Sequence, residues 1–161
     1  MSLSVYVINL DDSRERLEEV RLAFEGAGLA FERLSAVDFR GRLASDYQNY
    51  QAAHTRRLMG RELSGGEVGC YLSHLAAAEK FLQTSSKAAL VIEDDMTFGS
   101  SLAEALQEIL HQLDEGGHDW DVINIGALNP KMTTSLFSIA LAGGEDFSVA
   151  RAHYFPMRTE G

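Results

Sequence analysis

Residues 4–10 (S-V-Y-V-I-N-L) form a nearly unbroken β-branched and aromatic run, and this run constrains the fold more than any other stretch of the chain. A strand with one face in water alternates apolar and polar residues. One that does not alternate is covered on both faces, as strands of a parallel sheet between helices are. The residues after it carry the signals of a helix. Asp12 and Glu15 have capping-box spacing, Leu17, Val20, Phe24 and Ala27 recur at helical intervals, and Gly26 and Gly28 supply a stop. Residues 31–37 (F-E-R-L-S-A-V) alternate enough for a second strand. A strand–helix–strand unit of this kind implies parallel strands joined by a right-handed crossover. Residues 88–92 (A-A-L-V-I) predict a third strand, short and wholly apolar, that runs directly into Glu93-Asp94-Asp95.

Between residues 38 and 62 the periodicity lapses into Arg, Gly, Gln and Tyr, which predicts a long connection with one helix around residues 47–58. Connections of this length inside a domain are commonly functional. Ser64 and Glu67 form a second capping box, and the helix they open directs Val68, Leu72, Leu75 and Leu82 to the core. Ser101 and Glu104 open a further helix with a stripe of Leu102, Leu106, Ile109, Leu110 and Leu113, ended by Gly116-Gly117. Residues 120–125 (W-D-V-I-N-I) predict a fourth strand. Residues 136–141 and 147–155, separated by Ala142-Gly143-Gly144, predict a C-terminal β-hairpin. The chain therefore reads as α/β, a mostly parallel sheet flanked by helices.

Composition narrows the function. The 161 residues carry a formal charge of −10, against the basic face that a nucleic-acid or anionic-membrane binder needs. One cysteine, Cys70, rules out an internal disulfide and fits a reducing compartment. No apolar run reaches the length of a membrane span, and the start lacks the basic region and cleavage pattern of a signal peptide. The expectation is a cytoplasmic protein. There is no G-x-G-x-x-G, no P-loop and no G-x-S-x-G, which weighs against a dinucleotide oxidoreductase, a P-loop enzyme and an esterase.

Glu93-Asp94-Asp95 is the sharpest chemical feature. Open α/β sheets bind ligands outside the carboxyl ends of their strands, which is where this triplet falls. Adjacent carboxylates repel unless a cation or donors offset them, and alternate residues, Glu93 and Asp95, can face the same way with oxygen ligands suited to Mg²⁺ or Mn²⁺. A solvated acidic turn is the competing reading. On the helix after Ser64, the residues Glu67, Tyr71 and His74 share one face, Ser73 adjoins His74, and the Gly65-Gly66 amides offer an anion site. A histidine on a helix amid apolar neighbours is more often structural, and Cys70, with no paired base evident in the sequence, reads as core packing. Asn9, Leu10, Asp11 and Asp12 with Arg14 and Arg16 form a polar rim at the first strand's end, suited to a nucleotide diphosphate or to a plain helix start. Asp38, after the second strand, suits a ribose hydroxyl or merely starts a loop.

Three segments, V-Y-V-I-N-L-D-D-S-R-E-R (residues 5–16), L-S-G-G-E-V-G-C-Y-L-S-H (63–74) and A-L-V-I-E-D-D (89–95), together with F-E-R-L-S-A-V-D (31–38), resemble glycosyltransferase family 25, the lipopolysaccharide-biosynthesis type. The resemblance covers roughly residues 4–126. It implies a GT-A-type (Rossmann-like) fold and inverting transfer of a hexose, galactose by preference, from a UDP-sugar donor to a saccharide acceptor. Mn²⁺ or Mg²⁺ would hold the diphosphate. By position Asp95 would ligate the metal, with Glu93 beside the metal or the ribose and Asp94 in the same donor-binding motif. Asn9, Leu10 and Arg14 would line the uridine site with Asp38 near it. Ser73 and His74 match the family's Ser-His pair and would support the donor or metal site.

The resemblance further implies an acceptor-side part beyond this chain, so that residues 1–161 are expected to form a single transferase-like domain without it. No catalytic base is assigned within the chain. An inner-membrane face is the implied place of work, and a homo-oligomer or a non-catalytic nucleotide-binding or partner-binding module is the alternative for a chain lacking the acceptor side. A phosphohydrolase built on the same acidic triplet ranks last, since no D-x-D-x-T/V motif is present.

Overall fold

The computed structural model describes residues 2–125, 133–141 and 146–152. The chain divides into two units, Met1–Phe98 and Gly99–Gly161.

In the first unit β1 (Leu3–Asn9) lies between β2 (Glu32–Ser35) and β3 (Ala88–Glu93), parallel to both, in the order β2-β1-β3. Val5, Tyr6, Val7, Ile8 and Asn9 are all buried, as the unbroken run predicts for a central parallel strand. Because the chain leaves β1 towards β2 and later returns on the other side at β3, the strand order reverses at β1. That topological switch point is where α/β sheets open a crevice at their carboxyl ends. Here those ends are Asn9, Ser35 and Glu93.

Helix α1 (Arg14–Gly26) buries Val20 and Phe24. The Phe24 ring meets those of Phe31 and Phe98, each at 4.8 Å. The helix starts at Ser13 without the expected Asp12–Glu15 capping box: no side chain caps Ser13, and Asp12 instead pairs with Arg40. A guanidinium partner outcompetes the cap for the carboxylate.

The connection from 38 to 62 holds a 3₁₀ turn at Ala44–Asp46 and helix α2 (Ala52–Met59). The helix begins five residues later than residue 47 because Tyr47 and Tyr50 serve elsewhere: they pack on the cluster of Phe39, Ala44 and Val68, and the Tyr50 hydroxyl accepts from the Leu63 amide.

Helix α3 (Gly65–Phe81) has the predicted Ser64–Glu67 capping box and packs along all three strands. Its buried stripe is Val68, Gly69, Ser73 and Ala77. Leu75 and Leu82, expected in the core, are exposed, Leu82 by 80%. The glycines explain the change of face. A Cβ on Gly69 would lie 2.5 Å from the Val37 carbonyl oxygen, and one on Gly65 would run into the carbonyls of Phe39 and Arg42. The side without side chains therefore presses on the backbone after β2, and the leucines turn outward.

In the second unit, α4 (Leu102–Glu115) buries Ala105, Leu106, Ile109, Leu110 and Leu113, close to the predicted stripe. Ala105, Ile109 and Leu113 cluster with Leu141 and Ile123. Strands β4 (Thr133–Ala140) and β5 (Asp146–Ala152) pair antiparallel with a register shift between Ser135 and Phe137. Residues 142–144 and 153–155 of the expected hairpin lie outside the described residues. The fourth strand predicted at residues 120–125 does not form: no ladder joins them, and Val122 is 87% exposed. β-Branched composition makes a segment eligible for a sheet, but only a paired edge makes it a strand.

Candidate functional site at the carboxyl edge of the sheet

An open cleft of about 190 Å³ lies at the carboxyl end of the sheet. Its walls come from the turns after all three strands and from one face of α3. Leu10 follows β1, Asp38 and Arg40 follow β2, Glu93, Asp94 and Asp95 end β3, and Cys70, Ser73 and His74 project from α3. Seven of the nine residues that the family resemblance assigns to the donor and metal site thus meet in one place: Leu10, Asp38, Ser73, His74, Glu93, Asp94 and Asp95. Asn9 and Arg14 do not line it; they border a separate shallow depression with Asp11, Leu17 and Arg33.

The acidic triplet divides by alternation. Asp94 is buried: its Oδ2 accepts from Asn9 Nδ2 at 2.6 Å, its Oδ1 lies 3.1 Å from Arg16 Nη1, and its amide donates to the Ile8 carbonyl at 3.1 Å. Asn9, 2% exposed, also donates to the Ser13 carbonyl and accepts from Arg33 Nε at 2.8 Å. Arg33 continues to Asp11 Oδ1, which Ser35 also reaches. Both bonds hold the Asp11 carboxyl below its ordinary range, the Arg33 bond most strongly. This network ties the end of β3 to β1 and β2 and leaves Asn9 satisfied by protein groups. Asp95, by contrast, is exposed and Glu93 half-buried.

Glu93 faces α3. Its Oε1 accepts from Cys70 Sγ at 3.4 Å and lies 3.2 Å from His74 Nε2. Cys70, expected in the core, is exposed, because the helix turns Gly69 and Ser73 inward instead. Local desolvation, the bond to Glu93 and the nearby Asp95 charge raise its thiol pKa, so it stays protonated and donates. Its i, i+4 spacing with His74 was the signal in the sequence that this thiol belonged with the site. Ser73 is buried: its hydroxyl donates to the Gly69 carbonyl at 2.7 Å and accepts from the Val37 amide at 2.8 Å, fastening α3 to the strand-end loop.

Asp38 is clamped by Arg40. It accepts from the Arg40 amide at 3.0 Å and from Nε and Nη2 at 2.9 and 2.6 Å, and Arg40 also reaches Asp12 at 2.7 Å. The Arg40 guanidinium, then its amide, hold the Asp38 carboxyl down at about 2. Glu67 is likewise held at about 2 by Arg61 and by the Ser64 amide and hydroxyl. Glu67 therefore belongs to the helix cap, while Tyr71 stacks towards Tyr47 with ring centroids 6.4 Å apart. The face Glu67–Tyr71–His74 does not act as one group. The Gly65-Gly66 start serves close packing at Gly65.

Comparison with known proteins identifies the family. The family model for glycosyltransferase family 25 (LPS biosynthesis protein) matches residues 2–138. The chain belongs to glycosyltransferase family 25. Procollagen galactosyltransferase 1 of Danio rerio is 32% identical over 129 residues, covering 76% of this chain and 21% of the relative. A glycosyltransferase 25 family member of Anopheles gambiae is 33% identical over 134 residues, covering 78% of this chain and 22% of its own length. The inactive glycosyltransferase 25 family member 3 of Homo sapiens is 33% identical over 98 residues, covering 58% of this chain and 16% of the relative. The chain spans about a fifth of the length of the first two relatives. No solved structure matches it significantly. Among the described residues no helix is long and apolar enough to cross a membrane.

Proposed function

We propose that the cleft is the donor half of a metal-dependent glycosyltransferase site, which takes a UDP-hexose and passes the sugar to a saccharide hydroxyl. The observation that carries this reading is that exposed Asp95 and half-buried Glu93 both line, at a parallel strand end, a cleft at the topological switch point. The donor set is of the kind a hard divalent ion takes: the carboxylates of Glu93 at the end of β3 and of exposed Asp95 in the turn after it, either side of the locked Asp94. Glu93 and Asp95 would hold Mn²⁺ or Mg²⁺, which when bound offsets the charge of the departing diphosphate.

The chain's own residues do the placing. Leu10 and Asp38 border the nucleoside end, Ser73 and His74 form the helix wall, and Asn9 acts through Asp94 by fixing the end of β3. Arg14, in the neighbouring depression, would meet the outer part of the nucleotide. The relatives' name favours galactose as the sugar, and the family description favours a lipopolysaccharide-type acceptor. A GT-A fold with the two C-terminal strands as a hairpin, a cytoplasmic site at the inner membrane face and self-association belong to the same reading. A non-catalytic nucleotide-binding module is the second reading, favoured by the relative named inactive.

Thermal unfolding with UDP and Mn²⁺, singly and together, tests the proposal. Ligand at about a hundred times its dissociation constant stabilises by about 2.7 kcal/mol, or roughly 5–11 °C at about 2–4 °C per kcal/mol. The shift is expected only with both ligands and should vanish in the Glu93→Ala/Asp95→Ala variant. A shift retained in that variant, or absent throughout, overturns the assignment; a shift without sugar transfer to any acceptor favours the second reading.

A further inference from the structure

Cys70, His74 and Glu93 bring a sulfur, an imidazole nitrogen and a carboxylate oxygen to within 4.8 Å of one another at the cleft wall. Two of the edges are 3.4 Å (Cys70 Sγ to Glu93 Oε1) and 3.2 Å (His74 Nε2 to the same oxygen). A tetrahedral zinc ion with bonds of about 2.0–2.3 Å spaces its ligand atoms by about 3.3–3.6 Å, so both edges to Glu93 Oε1 already have the spacing such an ion requires. Cys70 and His74 sit at i, i+4 on one rigid helix, which projects both from the same side of α3. Glu93 comes from the strand facing them, and the Ser73–Val37 bond, one residue from His74, keeps that helix in place.

We propose that Cys70, His74 and Glu93 form a three-residue site for a thiophilic divalent ion, Zn²⁺, whose fourth position is open to water. The thiolate and imidazole favour zinc over the Mg²⁺ or Mn²⁺ that an all-oxygen set takes, and because Glu93 is common to both sets the two ions would compete for it. Binding exchanges the Cys70 thiol proton for the metal: the S–H bond breaks, the sulfur pair forms the bond to zinc, and the proton goes to solvent. The protonated, hydrogen-bonded thiol is then the metal-free resting form, with Glu93 Oε1 accepting the proton's bond where the ion would sit. The proposal requires no transferase activity, and no nucleotide enters its test.

The test titrates the reduced, chelator-treated full chain with Co²⁺ and then Zn²⁺. One Co²⁺ per chain is expected, with sulfur-to-cobalt charge-transfer absorption, release of one proton, and displacement by Zn²⁺. Cys70→Ser, or alkylation of Cys70 in the unaltered chain, should remove the absorption. His74→Gln and Glu93→Gln should each weaken Zn²⁺ by more than the about 10–100-fold that loss of an outer-shell partner costs. Metal-free thermal unfolding of the variants checks that they remain folded; the three side chains are at least partly exposed. Absence of the absorption, one ion shared between two chains, or a His74→Gln affinity equal to that of the unaltered chain would each overturn the site.

Discussion

The carboxyl edge of the sheet has two sides that use the acids of one triplet for opposite ends. On one side Asn9, Asp94, Arg16 and Arg33 bond to one another, with Asn9 and Asp94 buried. On the other, Cys70, His74 and Glu93 meet at the cleft surface with water on one flank, and Asp95 is exposed beside them. Three consecutive carboxylates therefore differ in role: Asp94 turns inward and ties the strand end to its neighbours, while Glu93 and Asp95 line the cleft. Burial decides between them, since a buried charge must be paired while an exposed one need not be.

Substitution should separate the two sides most strongly at the triplet. Asp94→Ala takes one of the two acceptors from the buried Asn9 amide, leaving the Ser13 carbonyl, and removes the Arg16 partner, so a loss of about 1–3 kcal/mol is expected in denaturant unfolding. Asp95→Ala, at an exposed position, should stay within about 0.5 kcal/mol. Equal losses at the two positions would erase the distinction.

A contrast of similar size lies along α3, which packs on all three strands. Gly69→Ala places a methyl group 2.5 Å from the Val37 carbonyl and should cost about 1–3 kcal/mol through overpacking, whereas at Gly66 the nearest atom is 3.9 Å away and alanine should be tolerated. A tolerated Gly69→Ala would mean that the strand-end loop yields and does not fix the cleft wall.

The smallest effect concerns Asp38. Its folded pKa of about 2 lies below the ordinary 3.8, so its ion pair is fully present above pH 3.8 and is lost as pH falls through about 2. In Arg40→Ala the Asp38 midpoint should rise towards the ordinary 3.8 in an NMR series while staying below it, because the residue-40 amide still donates to the carboxylate. An unchanged midpoint would take the clamp away from Arg40.

Much of this was legible because it is local. The unbroken run of β1, the capping box at Ser64, the stripe of α4 and the apolar strand ending in acids are repeats and spacings within one element. What failed depended on distant partners. Residues 120–125 have strand composition but no ladder, Leu82 continues a helical stripe past the last covered turn, and Asp12 left its helix cap for Arg40, 28 residues away.

By itself, the sequence determined the α/β class, the parallel strands and the meeting of acidic residues at a strand end, because periodicity and chain direction are properties of short segments. Only the tertiary structure decided which acid of the triplet is buried, that Gly65 and Gly69 press α3 onto the loop after β2, and that Cys70 therefore faces Glu93 across the cleft. Those outcomes come from close packing between segments far apart in the chain, where one missing Cβ sets which face of a helix turns inward.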